Sequence, residues 1–169
     1  YTGTTLKDND LVADQIFCND RSASINQTTD WASTGIDYEY GANVRLNSNK
    51  KPILTCPTES DKFTSKGSSI GNKALTYPVG LITADEVAMA GGVYNTSNSS
   101  YYLYTNQNYW SGSPAISSIY GAFGFLVSSS GDLDYATVTG AYGARPVVSL
   151  SSKAKLSGSG TYNDVYTAS

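Results

Sequence analysis

Apolar positions along the chain fall in short, spaced groups, so the elements they predict are short as well. Between Leu6 and Cys18, the residues Leu11, Val12, Ile16 and Phe17 stand among acids, a spacing that predicts a short amphipathic helix running into a strand. Asn19 to Asp37 is rich in Ser, Thr and Asn and reads as loop, whereas Tyr38 to Leu46 alternates well enough to predict a strand. Lys50 to Pro57 is a short apolar stretch bounded by prolines, and Asp61 to Gly71 is polar and turn-like.

The clearest helix signal follows Leu81 and Ile82. Thr83 is a good N-cap, Glu86 completes a capping box three residues later, and Gly91 can end the helix after about two turns. Val87, Ala88 and Met89 would face the core. After a loop dense in Asn, Ser and Tyr, the pattern beyond Trp110 changes to short strands. Phe123–Val127 and Leu133–Val138 flank Ser129-Ser130-Gly131-Asp132, which predicts a hairpin because Gly supplies the positive φ of a tight turn. Arg145–Leu150 predicts a third strand, confined by Pro146 to an edge or a first position, and the tail ends in a last short strand.

The 169 residues suit a single domain spanning the chain, and charged residues make up only 15% of it. A polar, weakly charged mixture rich in Gly, Ser, Thr, Asn and Tyr points to an extracellular or cell-surface protein. The net charge of −3 and the absence of any basic cluster beyond Lys50-Lys51 argue against a nucleic-acid partner. No run of 18 apolar residues predicts a membrane-inserted helix. With no His and only Cys18 and Cys56, 38 positions apart, a zinc site has no ligand set. Those cysteines fit either a disulfide, worth roughly 3 to 4 kcal/mol as a loop closure, or two buried thiols.

One compositional feature stands apart. From Ser111 to Ser152 there is no Lys, Glu, Gln, Met or Trp, although all five occur elsewhere in the chain. None of the five can be encoded by a codon ending in C or T, whereas every residue type that crowds the stretch can. The gap is therefore a statement about codons.

Four phrases carry a resemblance that bears on this gap: Phe17-Cys18-Asn19-Asp20-Arg21, Tyr77-Pro-Val-Gly-Leu-Ile-Thr-Ala-Asp-Glu-Val-Ala88 with Ala90-Gly91-Gly92, Tyr109-Trp110-Ser111-Gly112-Ser113-Pro114, and Gly143-Ala144-Arg145-Pro146-Val147-Val148-Ser149-Leu150. In this order they resemble C-type-lectin-like domains of bacterial surface proteins and the variable proteins of diversity-generating retroelements. The resemblance implies an α+β, C-type-lectin-like fold with short antiparallel sheets and one or two helices. It also implies a mechanism for the gap, because copying with errors at adenines turns AAC and AAT codons into any codon ending in C or T. The variable region would then lie at about residues 111–145, between Trp110 and the closing strand.

Physical role separates fixed from variable positions within that region. Phe125, Val127, Leu133 and Val138 fit the inward side of the hairpin, with Gly131 at its turn and Gly143 before the closing strand. The ligand-binding set expected on loops and outer faces is Ile116, Ser117, Ser118, Ile119, Tyr120, Phe123, Leu126, Asp134, Tyr135, Thr137, Thr139 and Tyr142. Exposed aromatics there would mark an interaction surface, since Tyr offers large area, a polar end and little entropy to lose. Arg145 fits a structural guanidinium bonded to loop carbonyls, Asp132 and Asp134 fit turn chemistry, and Asp85 and Glu86 complement the helix N-terminus.

Calcium-dependent sugar binding needs six to eight oxygen ligands, and the stretch offers only Asp132 and Asp134 without the lectin tripeptides. No polar pocket with a reactive acid or thiolate can be assembled for an enzyme. The expectation is a non-catalytic binding module with no cofactor and no metal, its ligand a protein or glycan, displayed on a cell surface or phage particle. The competing expectation is a structural or adhesive surface domain without programmed diversification.

Overall fold

The computed structural model describes residues 11–24, 38–66, 71–161 and 163–168. Short strands dominate, most of them antiparallel, with few helices, so the chain is α+β. Strands β1 (Val12–Ala13) and β2 (Phe17–Cys18) open the described chain. Strand β2 stands where the segment was expected to run into a strand, whereas β1 stands where a helix was expected, and the part before residue 11 lies outside the described residues.

A second expectation fails at Tyr38 to Leu46. Only β3 (Tyr38–Glu39) is strand, and the chain then turns into a helical segment, α1 (Gly41–Asn43), continued by a π-helical stretch Val44–Asn49. The buried residues explain the difference, because Ala42, Asn43 and Leu46 recur at helical rather than alternate spacing. Next come β4 (Lys62–Phe63), which pairs with β2, and β5 (Gly80–Leu81).

Helix α2 (Ala84–Met89) has the expected start. Thr83 Oγ1 accepts the Glu86 N–H at 3.1 Å, and Glu86 Oε2 accepts the Thr83 N–H at 2.8 Å. Its other end is a Schellman turn: Gly91, at φ +118°, and Gly92 donate to the carbonyls of Ala88 and Val87. Val87 is fully buried, but Met89 faces solvent, against the expectation that it packs inward.

The main sheet runs in the order β3, β6 (Tyr109–Ser118), β7 (Gly121–Val127), β8 (Leu133–Thr137), with β9 (Gly143–Ala144) parallel to the start of β6. The β7–β8 hairpin forms as expected, and Gly131 at φ +82° is required twice over, since a Cβ there would lie 1.9 Å from the Asn98 carbonyl oxygen. Phe125, Val127 and Leu133 meet Val87, Leu46, Ala115 and Tyr109 in the core. The expected closing strand is broken into β10 (Pro146–Val147), paired with β5, and β11 (Ser149–Leu150), paired with β1. Strands β12 (Leu156–Ser157) and β13 (Thr167–Ala168) form an exposed hairpin at the C-terminal end.

Three ties hold the irregular half. Cys18 and Cys56 form a disulfide, which resolves the two alternatives left by the sequence. Arg45 lies between two buried aspartates, donating to both oxygens of Asp85 at 3.0 and 2.7 Å and to Asp20 at 2.5 Å. Asp85 thus does more than complement a helix terminus; it also accepts the Ile53 N–H at 2.9 Å. Arg145 donates to the Leu103 carbonyl at 2.9 Å and lies over the Tyr109 ring, the structural role read from the sequence. No helix among the described residues is long and apolar enough to cross a membrane.

Candidate functional site

Strand β6 is the longest in the described chain, and its alternation sorts its residues onto two faces. Tyr109, Ser111, Ser113 and Ala115 are buried. Two serines can sit there because both are bonded: Ser111 Oγ donates to the Phe125 carbonyl at 3.0 Å, and Ser113 Oγ accepts the N–H of Ala84 at the start of α2, also at 3.0 Å. The intervening residues, with Trp110 first among them, belong to the opposite face.

That opposite face is shaped by a missing side chain. Gly124 lies in β7 where a Cβ would come within 3.4 Å of the Trp110 indole and 3.9 Å of Val138. Tyr142 packs edge-on against Trp110 at 5.1 Å, and Val138 donates its N–H to the Ala122 carbonyl at 3.0 Å. A shallow cavity of about 390 Å³ lies here, with Trp110, Ile116, Ala122, Gly124, Val138 and Leu81 among its lining. Beyond it projects the β6–β7 turn, where Ile119 is 72% and Tyr120 82% exposed. Gly121 permits this turn through its φ of +129°, and the space beside its Cα is open, with no neighbouring atom within 4 Å of where a Cβ would stand.

The expected ligand-binding set divides on this geometry. Ile119, Tyr120, Thr139 and Tyr142 are exposed, Ile116, Ser117 and Ser118 are half-buried toward the end of β6, and Thr137, also half-buried, stands in register with Phe123 on the core side. Leu126 stands in register between Trp110 and Asp134, on the outer side, but at 3% exposure it is covered there and packs rather than meeting solvent. Phe123 and Tyr135 are half-buried against the core: Tyr135 stacks on Tyr94 at 5.8 Å and meets Phe123 and Phe125 edge-on. Asp134 accepts the Tyr135 N–H at 2.7 Å, a use of its carboxylate on the chain's own backbone. Val138 moves the other way, since it was expected inward and is 59% exposed. The reason is parity: Val138 lies five positions from the inward Leu133, so alternation turns it to the other face, while its N–H continues the ladder to the Ala122 carbonyl.

Two ionisable groups of the scaffold are shifted by their surroundings. Burial, reinforced by the Tyr135 hydroxyl, pushes the Tyr94 phenol well above its ordinary value, so it is protonated at any physiological pH. Burial also opposes ionisation of Asp132, but hydroxyl donation from Ser128 and Ser130 outweighs it and holds the carboxyl below the usual range. Asp132 therefore serves the hairpin turn. Among the described residues no group of three or more His, Cys, Asp or Glu side chains is placed to hold a metal ion. The sequence reading missed Trp110 as a member of this face, although its place just before the compositional gap was a usable signal.

No family model, curated protein or solved structure matches this chain.

Proposed function

We propose that this chain is a non-catalytic ligand-binding module: a C-type-lectin-like scaffold that displays a diversified surface outside the cell, on a cell surface or a phage particle. The observation that carries the reading is a coincidence of composition and geometry. The exposed apolar residues Ile119, Tyr120, Val138 and Tyr142 all fall inside the stretch without Lys, Glu, Gln, Met or Trp, and they follow one another along the outer face through Trp110, Gly124 and Ala122. Exposed apolar side chains that adjoin one another in this way mark an interaction surface more often than they do an accident.

The binding chemistry is complementarity, with aromatic and aliphatic anchors and a rim of Ser and Thr hydroxyls. Tyr120, Ile119, Val138, Tyr142, Thr139, Ser117, Ser118 and Ile116 supply the surface, whereas Leu126, Phe123, Tyr135 and Asp134 hold the scaffold beneath it. The disulfide suits an oxidising exterior.

The gene tests this directly. Codons at the variable, outward positions within residues 111–145 should end almost entirely in C or T, and sibling copies should differ there while keeping Phe125, Val127, Leu133 and Gly131. Codons ending in A or G at ordinary frequency, or variation spread equally over core and surface, would point instead to a structural or adhesive domain without diversification.

A further inference from the structure

Two guanidinium groups, those of Arg45 and Arg21, can be compared directly. Arg45 engages Asp85 through Nε and Nη2 and a second carboxylate, Asp20, through Nη2. Arg21 repeats the first half of that arrangement: Nε and Nη2 donate to Asp61 Oδ1 at 2.8 and 2.6 Å, and its backbone N–H donates to Oδ2 at 2.7 Å. Among the described residues no second carboxylate meets it, and the Arg21 side chain stays 54% exposed over an Asp61 that is buried.

What faces Arg21 is a built recess and not open solvent. An open cavity of about 510 Å³ is lined by Arg21, Tyr38, Tyr40, Thr58, Ser60, Asp61 and Ser117, the Asp61 carboxylate being the one already bonded to Arg21. Tyr38 and Tyr40 meet edge-to-face at 4.9 Å and form an aromatic wall. Asp61 pins the fork of the guanidinium, so little conformational freedom is lost when its outer edge meets a planar acceptor.

We propose that this recess binds a ring-borne carboxylate, the acid group taking on Arg21 the place that Asp20 takes on Arg45 and the ring lying against Tyr38 and Tyr40. The hydroxyls of Thr58, Ser60 and Ser117 are at hand for polar substituents. The site goes beyond the diversified surface and stands independently of it, because only Ser117 belongs to the compositional gap.

The test uses the whole chain, titrated by NMR with three probes: sodium glucuronate, sodium benzoate and, as the neutral control, glucose. Expected is a saturable shift of the Tyr38 and Tyr40 ring signals with at least one acid, at a Kd of about 1 mM or weaker, as suits so small a ligand in an open recess. Whichever acid binds tighter identifies a sugar acid or an aromatic acid as the source. Arg21→Gln should weaken it at least ~10-fold and Arg21→Lys should restore little of it, because the loss is of a fork and not only of a charge. Tyr40→Leu provides a second variant that leaves the Arg21–Asp61 pair intact, and it too should weaken binding. Glucose binding as tightly as glucuronate, no saturable shift with either acid, or unchanged binding by a folded Arg21→Gln chain would overturn the proposal. None of these results bears on the codon test, so the two readings fail separately.

Discussion

Replacing Arg45 by Met removes one cation from between two carboxylates that have almost no other access to solvent. The Asp20 and Asp85 side chains are 5% and 6% exposed, and Arg45 itself is 16% exposed. Three charge-assisted bonds are lost, and two buried negative charges are left facing one another. Burial disfavours the Arg45 charge, yet the bonds and fields of Asp85 and Asp20 outweigh it and raise its pKa above the ordinary value, so the pairs are strongly coupled. Leaving buried charge without its partner costs about 3 to 5 kcal/mol, at the upper end here because two carboxylates are orphaned at once. That is a large share of the ~5 to 15 kcal/mol that holds a typical domain. Urea unfolding followed by tryptophan fluorescence measures the loss. A control separates charge from shape: adding Asp20→Asn and Asp85→Asn to Arg45→Met should recover a good part of it, because the neutral amides are far cheaper to bury. A loss under about 1 kcal/mol for Arg45→Met alone, or no recovery in the triple variant, would refute the reasoning.

The outer face and its support should respond differently to truncation. Tyr120→Ala should leave stability within about 0.5 kcal/mol, whereas Leu126→Ala should cost about 2 to 5 kcal/mol, read from the same urea curves. Opening the Cys18–Cys56 bridge by replacing both with Ser releases a closure across 38 positions and should lower stability by about 4 kcal/mol in the loop-entropy account, checked by thermal unfolding under oxidising conditions. Asp14 and Asp132 have folded-state pKa values below the unfolded value of 3.8, so each contributes stability that is present above that value and is lost as pH falls from it through the lower folded-state value. Asp132→Asn should therefore flatten the acid limb of the stability profile below about pH 4, measured by urea midpoints across pH.

How far the chain could be read in advance depended on how local each signal was. The α2 cap lies within four consecutive residues, Thr83 to Glu86, and the β7–β8 turn within Ser128 to Asp132; both were legible. Strand β6 had no legible bounds, because Ser111 to Pro114 shows no alternation of apolar with polar positions. The bonds that let Ser111 and Ser113 be buried come from Phe125 and Ala84, far away in sequence. Arg45 could not be matched to Asp20 and Asp85, 25 and 40 positions off, until the fold brought them together. Alternation gave the correct face for Phe125 and Val127 but not the depth of Leu126, since a period of two says which side a residue is on and nothing of what stands beside it there.

The pairing of β1 with β11 joins residues 12–13 to residues 149–150. This contact closes the longest loop in the described chain, and the chain must lose that freedom before the contact gives anything back. Helix α2 and the β7–β8 hairpin can form as soon as their own few residues are free, but β1 has no partner until residues 149–150 have left the ribosome. Folding should then divide into an early, local phase at α2 and the β7–β8 hairpin and a late annealing of the first strand. In a refolding experiment the β1–β11 amides should be the last to gain protection from hydrogen exchange.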